Sequence, residues 1–384
     1  MAAAIGPAPK SKSSSATRPN VILITLDTTR ADRMGFLGST RGLTPNLDTL
    51  AKHGVVFSRA YSHVPLTPPS HATLLTGTYP QFSQLEYMGQ PLAKDIPYLP
   101  EIFHRRGYRT GAFVGSMILD PKNVTAVGFD RGFDTYNAGF HRRAVGEDRF
   151  RSVERRAGEV VERATGWLAK GGGRPFFLWI HCYDPHGPYE PPEPYKSRFA
   201  AEPYDGEIAY TDSAMGGLLK TLHARGLYDN SLIVVTADHG EAFGEHGERH
   251  HGVFLYDETI HVPLLIKLPK DRFAGKKIDV RVGLVDIAPT VLKGAGLAVS
   301  PAMQGESLVA MMTSPSAGAT LADRSAYSET IYAHRAFGWS ALRSWRTGKY
   351  LYIQAPRREL YDQTSDPSAT HNLAADAKAV SDIL

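Results

Sequence analysis

Runs of consecutive apolar residues, each leading to an acidic or basic side chain, recur along this chain. Residues 21–24 read Val-Ile-Leu-Ile and lead to Asp27, and residues 232–235 read Leu-Ile-Val-Val and lead to Asp238. Residues 175–181 form a third run of this kind. Unbroken apolar runs are typical of strands that are buried on both faces, as they are in parallel sheets. The pattern predicts an α/β fold with a mostly parallel central sheet.

Between these runs, apolar residues recur at the three- and four-residue spacing of amphipathic helices, which would flank the sheet. The longest is a single helix predicted over residues 148–169, whose apolar positions form one stripe. Arginines interleaved with glutamates beside that stripe predict a solvated face. These arginines are Arg149, Arg151, Arg155 and Arg156. Further helices are predicted over residues 45–53, 99–106, 205–225 and 286–294.

From residue 325 onward the pattern changes to short apolar and aromatic stretches separated by turns, which predicts antiparallel strands. We therefore predict a main α/β domain over residues 18–324 and a smaller α+β subdomain over residues 325–384. Residues 1–17 are rich in alanine, proline, serine and lysine, and we interpret them as a disordered lead-in.

Composition narrows the class of protein. The chain has 384 residues, of which 42% are hydrophobic and 21% charged, the balance of an ordinary globular protein with a substantial core. Its net charge of +4 is too small for this length to indicate nucleic-acid binding. The single cysteine, Cys182, excludes an intramolecular disulfide framework.

The sequence carries no sign of a membrane anchor. No apolar run approaches the ~18 residues that a membrane-spanning helix needs. Residues 1–17 lack the apolar stretch of ~7–15 residues that marks a signal peptide. The cytoplasm is therefore the default expectation, with the periplasm or secretion as the alternative if an export signal has been trimmed.

The carboxyl ends of the predicted strands carry residues that suit a divalent metal. Asp27 follows the first strand, Asp184 and His186 follow a second, and Asp238 and His239 follow a third. Because ligands of open α/β sheets bind beyond these strand ends, we expect the side chains to converge. Each alone is weak evidence, since an aspartate after a strand usually caps a helix or forms a turn. Oxygen ligands would favour Ca²⁺, Mg²⁺ or Mn²⁺, and imidazoles would favour Zn²⁺.

A fourth loop offers a nucleophile, and a fifth offers His250 and His251. Thr67 precedes two prolines at the start of a short predicted helix that ends at Gly77. The dipole and the free N–H groups of a helix N-terminus favour anions, so an alkoxide at Thr67 would be stabilised. The alternative is that Thr67 only caps the helix.

Six short motifs spread over nearly the whole chain carry a family resemblance: residues 20–27, 44–47, 69–77, 238–241, 255–263 and 359–362. Together they resemble the sulfatases of the alkaline-phosphatase superfamily. The resemblance implies an alkaline-phosphatase-like sheet with a C-terminal subdomain, and hydrolysis of sulfate or phosphate esters. It also implies metal ligation by Asp27, Asp238 and His239, joined by Thr67 at the position of the nucleophile.

The chain departs from the family pattern at that nucleophile. Sulfatases make a formylglycine from the cysteine or serine of a Cys/Ser-x-Pro-x-Arg motif, whereas this chain has Thr67, two prolines, a serine and His71. Threonine is not a formylglycine precursor, and Cys182 lies on a different strand. The second acid of the usual Asp-Asp pair is Thr28. We therefore expect no formylglycine, and a threonine adduct that is hydrolysed or transferred at its central atom.

Other departures replace basic residues of the family. Residues 115–118 lack the lysine and histidine that sulfatases carry there, and residues 250–252 read His-His-Gly where many sulfatases have a substrate-binding lysine. Relatives with a threonine nucleophile use two zinc ions, so the resemblance implies a second metal site at Asp184, His186 and His251. The alternative is that His186 and His251 contact the substrate oxyanion directly.

Three functional hypotheses follow. The favoured one is a metal-dependent ester hydrolase with Thr67 as nucleophile, with His71, His186 and His251 as further catalytic residues, and with zinc, manganese or calcium as cofactor. Residue chemistry favours phosphate or phosphonate esters, whereas resemblance alone implies an arylsulfatase-type sulfuric ester hydrolase. The second is a phosphoethanolamine- or phosphoglycerol-type transferase, and the third is a degenerate sulfatase domain that binds or regulates. The partner of an active enzyme would be a small anionic ester.

Overall fold

The computed structural model describes residues 18–313, 324–377 and 380, so the predicted lead-in over residues 1–17 lies outside the described residues. The strands are β1 (Asn20–Leu26), β2 (Val55–Tyr61), β3 (Arg109–Val114), β4 (Thr135–Asn137), β5 (Phe176–Cys182), β6 (Ser231–Ala237), β7 (His261–Lys267), β8 (Lys276–Gly283), β9 (Ala326–Thr330), β10 (Leu342–Thr347), β11 (Tyr350–Gln354) and β12 (Glu359–Asp362). The α-helices are α1 (Pro45–Lys52), α2 (Thr67–Thr76), α3 (Pro80–Ser83), α4 (Leu99–Arg105), α5 (Arg149–Ser152), α6 (Ala157–Ala169), α7 (Tyr195–Arg198), α8 (Pro203–Ala224), α9 (Asp257–Ile260), α10 (Ile287–Gly294), α11 (Val309–Thr313) and α12 (Tyr332–Phe337). Among these described helices, none is both long enough and apolar enough to cross a membrane.

An eight-stranded sheet forms the centre of the fold, in the order β4-β3-β5-β1-β6-β7-β2-β8. The strands from β4 to β6 are parallel to their neighbours, whereas β7 is antiparallel to both β6 and β2. Strand β8 is parallel to β2. The mostly parallel sheet predicted from the apolar runs is confirmed.

Helices cover both faces of this sheet, because successive residues of a strand point to opposite sides. In β1, Val21 and Leu23 belong to one core cluster, which includes residues of α4 and α10. Ile22 and Ile24 belong to a second cluster, which includes residues of α6 and α8. Burial on both faces explains why the runs are unbroken, since a solvated face would require alternating polar residues.

A second sheet of four strands follows, in the order β12-β11-β10-β9, and its strands are antiparallel. This confirms the antiparallel pattern predicted from residue 325 onward. The buried Arg346 of β10 donates to the carbonyl of Leu255 at 3.1 Å and to Asp257 at 2.8 Å. These bonds tie the second sheet to the segment that precedes β7.

His246 ties the loop after β6 to residues near the C-terminal end. Its Nδ1 lies 2.7 Å from Oε1 of Glu258, and its Nε2 lies 3.1 and 3.2 Å from the carbonyl oxygens of Ser368 and Ala369. Because all three partners only accept hydrogen bonds here, both ring nitrogens carry protons. The hydrogen bond to Glu258 outweighs burial and raises the pKa of His246.

The single helix predicted over residues 148–169 is wrong, because the chain leaves the helix at Val153 and forms α5 and α6 instead. The break comes from backbone hydrogen bonds to the segment after β3. The N–H of Met117 donates to the carbonyl of Val153 at 2.8 Å, and the N–H of Arg155 donates to the carbonyl of Gly115 at 2.7 Å. Partners distant in sequence therefore override the local helical pattern.

The solvated arginine face predicted for that helix is also wrong. Arg149 and Arg155 are buried, and Arg156 bonds to two buried carboxylates described below, whereas Arg151 is exposed. Three of the four arginines thus meet partners inside the protein, which the charge pattern alone did not indicate, and only Arg151 is solvated as predicted.

Candidate active site

The carboxyl ends of three neighbouring strands form the centre of the candidate site. Strand β1 lies between β5 and β6, and the register pairs Thr25 of β1 with His181 of β5 and with Thr236 of β6. Asp27 and Asp238 directly follow β1 and β6. The interstrand hydrogen bonds therefore set how far apart these carboxylates lie.

Thr67 is the first residue of α2, and its hydroxyl faces this group. Its Oγ1 lies 3.5 Å from Oδ2 of Asp27 and 3.4 Å from Nε2 of His239. Leu66 occupies the N-cap position, and no side chain caps the helix. The hydroxyl of Thr67 is therefore not used as a helix cap and remains directed into the site.

The two carboxylates are buried and incompletely paired. Asp27 and Asp238 are both 0% exposed, and Oδ1 of Asp27 and Oδ2 of Asp238 have no hydrogen-bond partner among the described residues. Burial raises the pKa of Asp27 to about 8 and raises that of Asp238 well above its usual range. Ligand atoms of Asp27, Asp238 and His239 all lie within 4.8 Å of one another. Unpaired buried carboxylate oxygens beside an imidazole fit a divalent cation, which would compensate their charge.

His239 has the protonation that metal ligation requires. Its Nδ1 lies 3.0 Å from the carbonyl oxygen of Gly240, so Nδ1 carries the proton. The lone pair of Nε2 therefore faces Asp27 and Asp238, at 3.9 and 3.5 Å. Burial lowers the pKa of His239 well below its usual range and keeps the ring neutral. A neutral imidazole held from behind by a carbonyl is a common metal-ligand arrangement.

His181 belongs to the site, although the sequence reasoning did not select it. Its Nδ1 accepts the N–H of Gly115 at 3.4 Å, so its proton lies on Nε2, 3.1 Å from Oδ2 of Asp27. Burial lowers the pKa of His181 to about 3. His181 therefore orients Asp27 by donating a hydrogen bond. Its place near the end of an apolar run was the one signal in the sequence.

His71, predicted as catalytic, contacts the backbone carbonyl of Thr67. Its Nδ1 donates to the carbonyl of Thr67 at 2.8 Å, and its Nε2 accepts the hydroxyl of Thr25 at 3.0 Å. Thr25 in turn accepts the indole N–H of Trp179 at 3.0 Å. Nδ1 also lies 3.5 Å from Asp238, but its proton is already directed to the Thr67 carbonyl. This placement suits His71 to position the first turn of α2 rather than to touch a substrate.

Thr28, which stands in place of the second acid of the usual sulfatase pair, contributes its backbone. Its N–H donates to Oδ1 of Asp238 at 3.3 Å, its hydroxyl donates to the carbonyl of Pro185, and its carbonyl accepts the hydroxyl of Tyr204 at 2.7 Å. Its φ of +48° lies in the left-handed region, which costs a β-branched residue about 1–3 kcal/mol. The three hydrogen bonds hold this strained residue beside Asp238.

His251 borders the site and is held by Glu241. Its Nδ1 lies 3.0 Å from Oε1 of Glu241, whose other oxygen accepts the hydroxyl of Tyr189 at 2.9 Å. Burial opposes a charge on His251, but the bond to Glu241 and nearby carboxylates outweigh it and raise the pKa of His251. The ring centroids of His251 and His239 are 4.4 Å apart. Glu241 was missed by the sequence reasoning, although it closes the Asp-His-Gly-Glu motif.

His186 presents a lone pair rather than a proton. Its Nδ1 donates to the carbonyl of Gly187 at 2.8 Å, which leaves Nε2 unprotonated. Burial and the nearby His251 lower the pKa of His186 to about 4. The ring stacks on Tyr183 with centroids 4.4 Å apart and lies 5.3 Å from His251. The neutral form favours His186 as a ligand or base over a donor to a substrate oxyanion.

Asp184, predicted as a ligand of a second metal together with His186 and His251, instead forms hydrogen bonds with other parts of the protein. Its Oδ1 accepts from Arg156 at 3.1 Å, and its Oδ2 accepts the N–H of Ala157, the first residue of α6, at 2.8 Å. Both oxygens are thus used within the protein. The structure corrects this assignment in favour of the helix-capping alternative.

Two family models match the chain. The sulfatase family model matches residues 19–297, and the model for the C-terminal region of N-sulphoglucosamine sulphohydrolase matches residues 244–383. The chain is therefore an ester hydrolase with an alkaline-phosphatase-like fold. It belongs to the sulfatase family. Sulfatases generally depend on a divalent metal, and the donor atoms around Asp27 fit one.

Sequence relatives include sulfatases, and one structural neighbour is a phosphonate monoester hydrolase. The ulvan-active sulfatase of Formosa agariphila is 29% identical over 399 residues, which cover 93% of this chain and 77% of that protein. An arylsulfatase of Clostridium perfringens is 24% identical over 444 residues, which cover 93% of this chain and 90% of that protein. The phosphonate monoester hydrolase of Agrobacterium radiobacter superimposes with a TM-score of 0.79 at 23% identity, over 95% of this chain and 93% of that one. The last likeness supports the fold.

Proposed function

We propose that this chain hydrolyses phosphate or phosphonate esters with Thr67 as the nucleophile. The observation that carries the proposal is the position of the Thr67 hydroxyl, 3.5 Å from Asp27 and 3.4 Å from His239. A threonine adduct cannot collapse to an aldehyde, as a formylglycine adduct does, so water must displace it at the central atom. Two successive displacements at one central atom are the chemistry of phosphoryl transfer.

Side chains of this site suit both displacements. In the first, the Thr67 hydroxyl passes its proton to Oδ2 of Asp27, its oxygen bonds to the central atom and the ester oxygen leaves. The N-terminus of α2 stabilises negative charge on the attacking oxygen. The protonated His251 donates a proton to the leaving oxygen, because Glu241 holds its Nδ1 and leaves Nε2 for donation. In the second, water attacks the central atom and gives a proton to the now neutral His251, while the Thr67 oxygen leaves and recovers its proton from Asp27. The neutral His186 accepts a hydrogen bond from the attacking water and orients it.

A divalent cation completes the proposal, with zinc, manganese or calcium as candidates. Asp27, Asp238 and His239 would hold it, and when bound it supplies electrostatic stabilisation of the charge that develops on the reacting group. The protein's own hydrogen bonds keep these ligands in place. His181 donates to Asp27 at 3.1 Å, and the N–H groups of Thr28 and His239 donate to Asp238 at 3.3 and 2.9 Å.

The decisive experiment combines a substrate panel with Thr67→Ala. We expect the wild type to turn over aryl phosphate or phosphonate esters faster than aryl sulfate, and Thr67→Ala to lose at least about 10⁴-fold in kcat. Thr73→Ala is the matched control, because the Thr73 hydroxyl is buried in the same helix without a hydrogen-bond partner. Mass spectrometry after acid quenching should find the adduct on the peptide that contains Thr67. Full activity of Thr67→Ala would contradict the nucleophile assignment.

Hydrolysis of sulfate esters is the second candidate, because two relatives described above are sulfatases. The same panel separates the two reactions, since both use the same group of ligands. Preferential turnover of aryl sulfate by the wild type, lost in Thr67→Ala, would replace the phosphoester assignment and keep the nucleophile.

A further inference from the structure

A cavity of about 550 Å³ opens at the edge of the large sheet opposite the candidate active site. Its lining includes the first residues of three central strands, Asn20 of β1, Arg109 of β3 and Phe176 of β5. The candidate active site lies at the other ends of the same strands. With 6–7 residues in each strand, the two sites are about 20 Å apart.

The lining of this cavity carries an unusual excess of positive charge. It contains five cationic side chains and a single carboxylate, Asp229. The cationic residues are Arg18, Arg109, Arg174, Arg225 and Lys270. None of the five forms a salt bridge with a carboxylate among the described residues, although most arginines near the active site do. Five like charges around a single carboxylate repel one another, so a bound anion would stabilise this arrangement.

Two of the cationic groups donate to backbone carbonyls that hold them in place. Arg109 donates to the carbonyl of Trp167 at 3.1 Å and stacks on its ring, 3.5 Å from the centroid. Arg174 donates to the carbonyl of Gly107 at 3.2 Å. Carbonyl acceptors fix the direction of a guanidinium without neutralising it, so the charge remains available to a ligand.

Arg109 is the least exposed of the five cations, and one of its N–H groups lacks an acceptor in the described part of the chain. Its Nε is buried and has no hydrogen-bond partner among the described residues. Burial, followed by repulsion from Arg174, lowers the pKa of Arg109. A β-carbon on Gly171 would lie only 2.9 Å from Nη2 of Arg109, so the glycine makes room for the guanidinium. A buried N–H without an acceptor is costly and is expected where a ligand supplies one.

We propose that this basic cavity binds an anion that carries at least two phosphate or sulfate groups. The five cations are spread over a space much larger than one tetrahedral oxyanion, so one such group would reach only part of them. Guanidinium groups pair with the oxygens of phosphate and sulfate through two parallel hydrogen bonds. Condensed phosphates and sulfated oligosaccharides share this chemistry. The proposal does not depend on the reaction catalysed at Thr67.

Calorimetric titration with tripolyphosphate and with a trisulfated disaccharide tests the proposal. The titrations use Thr67→Ala protein to prevent turnover. The test pair is Arg174→Gln with Lys270→Gln, two exposed positions in the cavity. The control pair is Lys196→Gln with Lys293→Gln, two exposed positions outside it that remove the same charge.

We expect saturable binding of at least one probe, with a Kd that rises about tenfold in the cavity pair and stays within twofold in the control pair. The probe that binds identifies the source of the anion. When the two cavity substitutions are made in protein that retains Thr67, kcat and KM for a small aryl ester should be unchanged. Absence of binding, an equal effect of the control pair, or a parallel loss of turnover would each overturn the proposal. Unchanged unfolding temperatures of both pairs will show that the folds are intact.

Discussion

Replacing Arg156 by methionine should unpair two buried carboxylates and lower stability in a pH-dependent way. Arg156 lies 3.1 Å from Oδ1 of Asp184 and 3.4 Å from Oε1 of Glu207. These carboxylates are 4% and 1% exposed, and burial raises the pKa of Asp184 and raises that of Glu207 to about 8. Methionine replaces the apolar stem of the side chain but removes the charged guanidinium, so the variant breaks the ion pair and keeps most of the packing.

The expected loss at pH 9, above the pKa at which Glu207 ionises, is about 3 kcal/mol, the lower end of what breaking a buried ion pair costs, because the Arg156 side chain is 20% exposed. Unfolding 384 residues at ~2.1 cal/mol/K each gives an entropy of ~0.8 kcal/mol/K, so Tm should fall by about 4 °C. At pH 5 the deficit should shrink below about 1 °C. The reason is that carboxyls with raised pKa bind protons in the folded state and then need no arginine, whereas their unfolded forms ionise near 3.8 and 4.5.

Differential scanning calorimetry of both proteins between pH 5 and pH 9 measures this difference. Arg163→Met is the matched control, because Arg163 lies on the same helix and forms an exposed pair with Glu159 at 2.7 Å. Its cost should stay below about 0.5 kcal/mol at every pH. A deficit in Arg156→Met that does not grow with pH, or a control that is equally damaging, would refute the reasoning.

Three further predictions concern the site and its surroundings. Glu241→Gln should lower kcat about a hundredfold with little change in KM, because His251 loses the carboxylate that favours its protonated form. Steady-state kinetics will measure this effect, and an unchanged kcat would argue against proton donation by His251. Removal of divalent metal by a chelator should abolish turnover and lower Tm, and added zinc or manganese should restore both. Full activity of the metal-depleted protein would exclude a metal requirement. His246→Gln should cost about 1 kcal/mol near pH 6, because the raised pKa of His246 means that its bonds stabilise the fold below its ordinary pKa of 6.5. That cost should disappear as pH rises through the raised value, and a Tm difference that persists at pH 9 would contradict it.

The sequence predicted the sheet well, because burial on both faces leaves an unmistakable run of apolar residues in β1, β5 and β6. It could not predict the break at Val153, because the bonds responsible come from Gly115 and Met117, far away in the chain. For the same reason the arginines of that segment were interpreted as solvated, although Arg155 is buried. Local periodicity reports which residues prefer burial, but not which polar partners they meet.

The candidate site was predictable where residues directly follow strands, as Asp27 and Asp238 do, since strand ends meet at one edge of a sheet. His181 was harder to find because it lies inside an apolar run, where a histidine is usually a core residue. Asp184 shows the opposite case: its sequence position fits either a ligand or a helix cap, and only its bonds to Arg156 and Ala157 distinguish them. Protonation states, such as that of His186, depend on backbone carbonyls that no motif encodes.

The interleaving of β1 between β5 and β6 has a consequence for how this family diversifies. The two central carboxylates and His181 follow or belong to deeply buried strands, where hydrogen bonds between neighbouring strands leave little room for movement. The groups that meet the remainder of a substrate come from connecting segments, which tolerate insertion and exchange. Selection can therefore replace the preferred ester while the innermost residues stay in register, so divergence in substrate need not disturb folding.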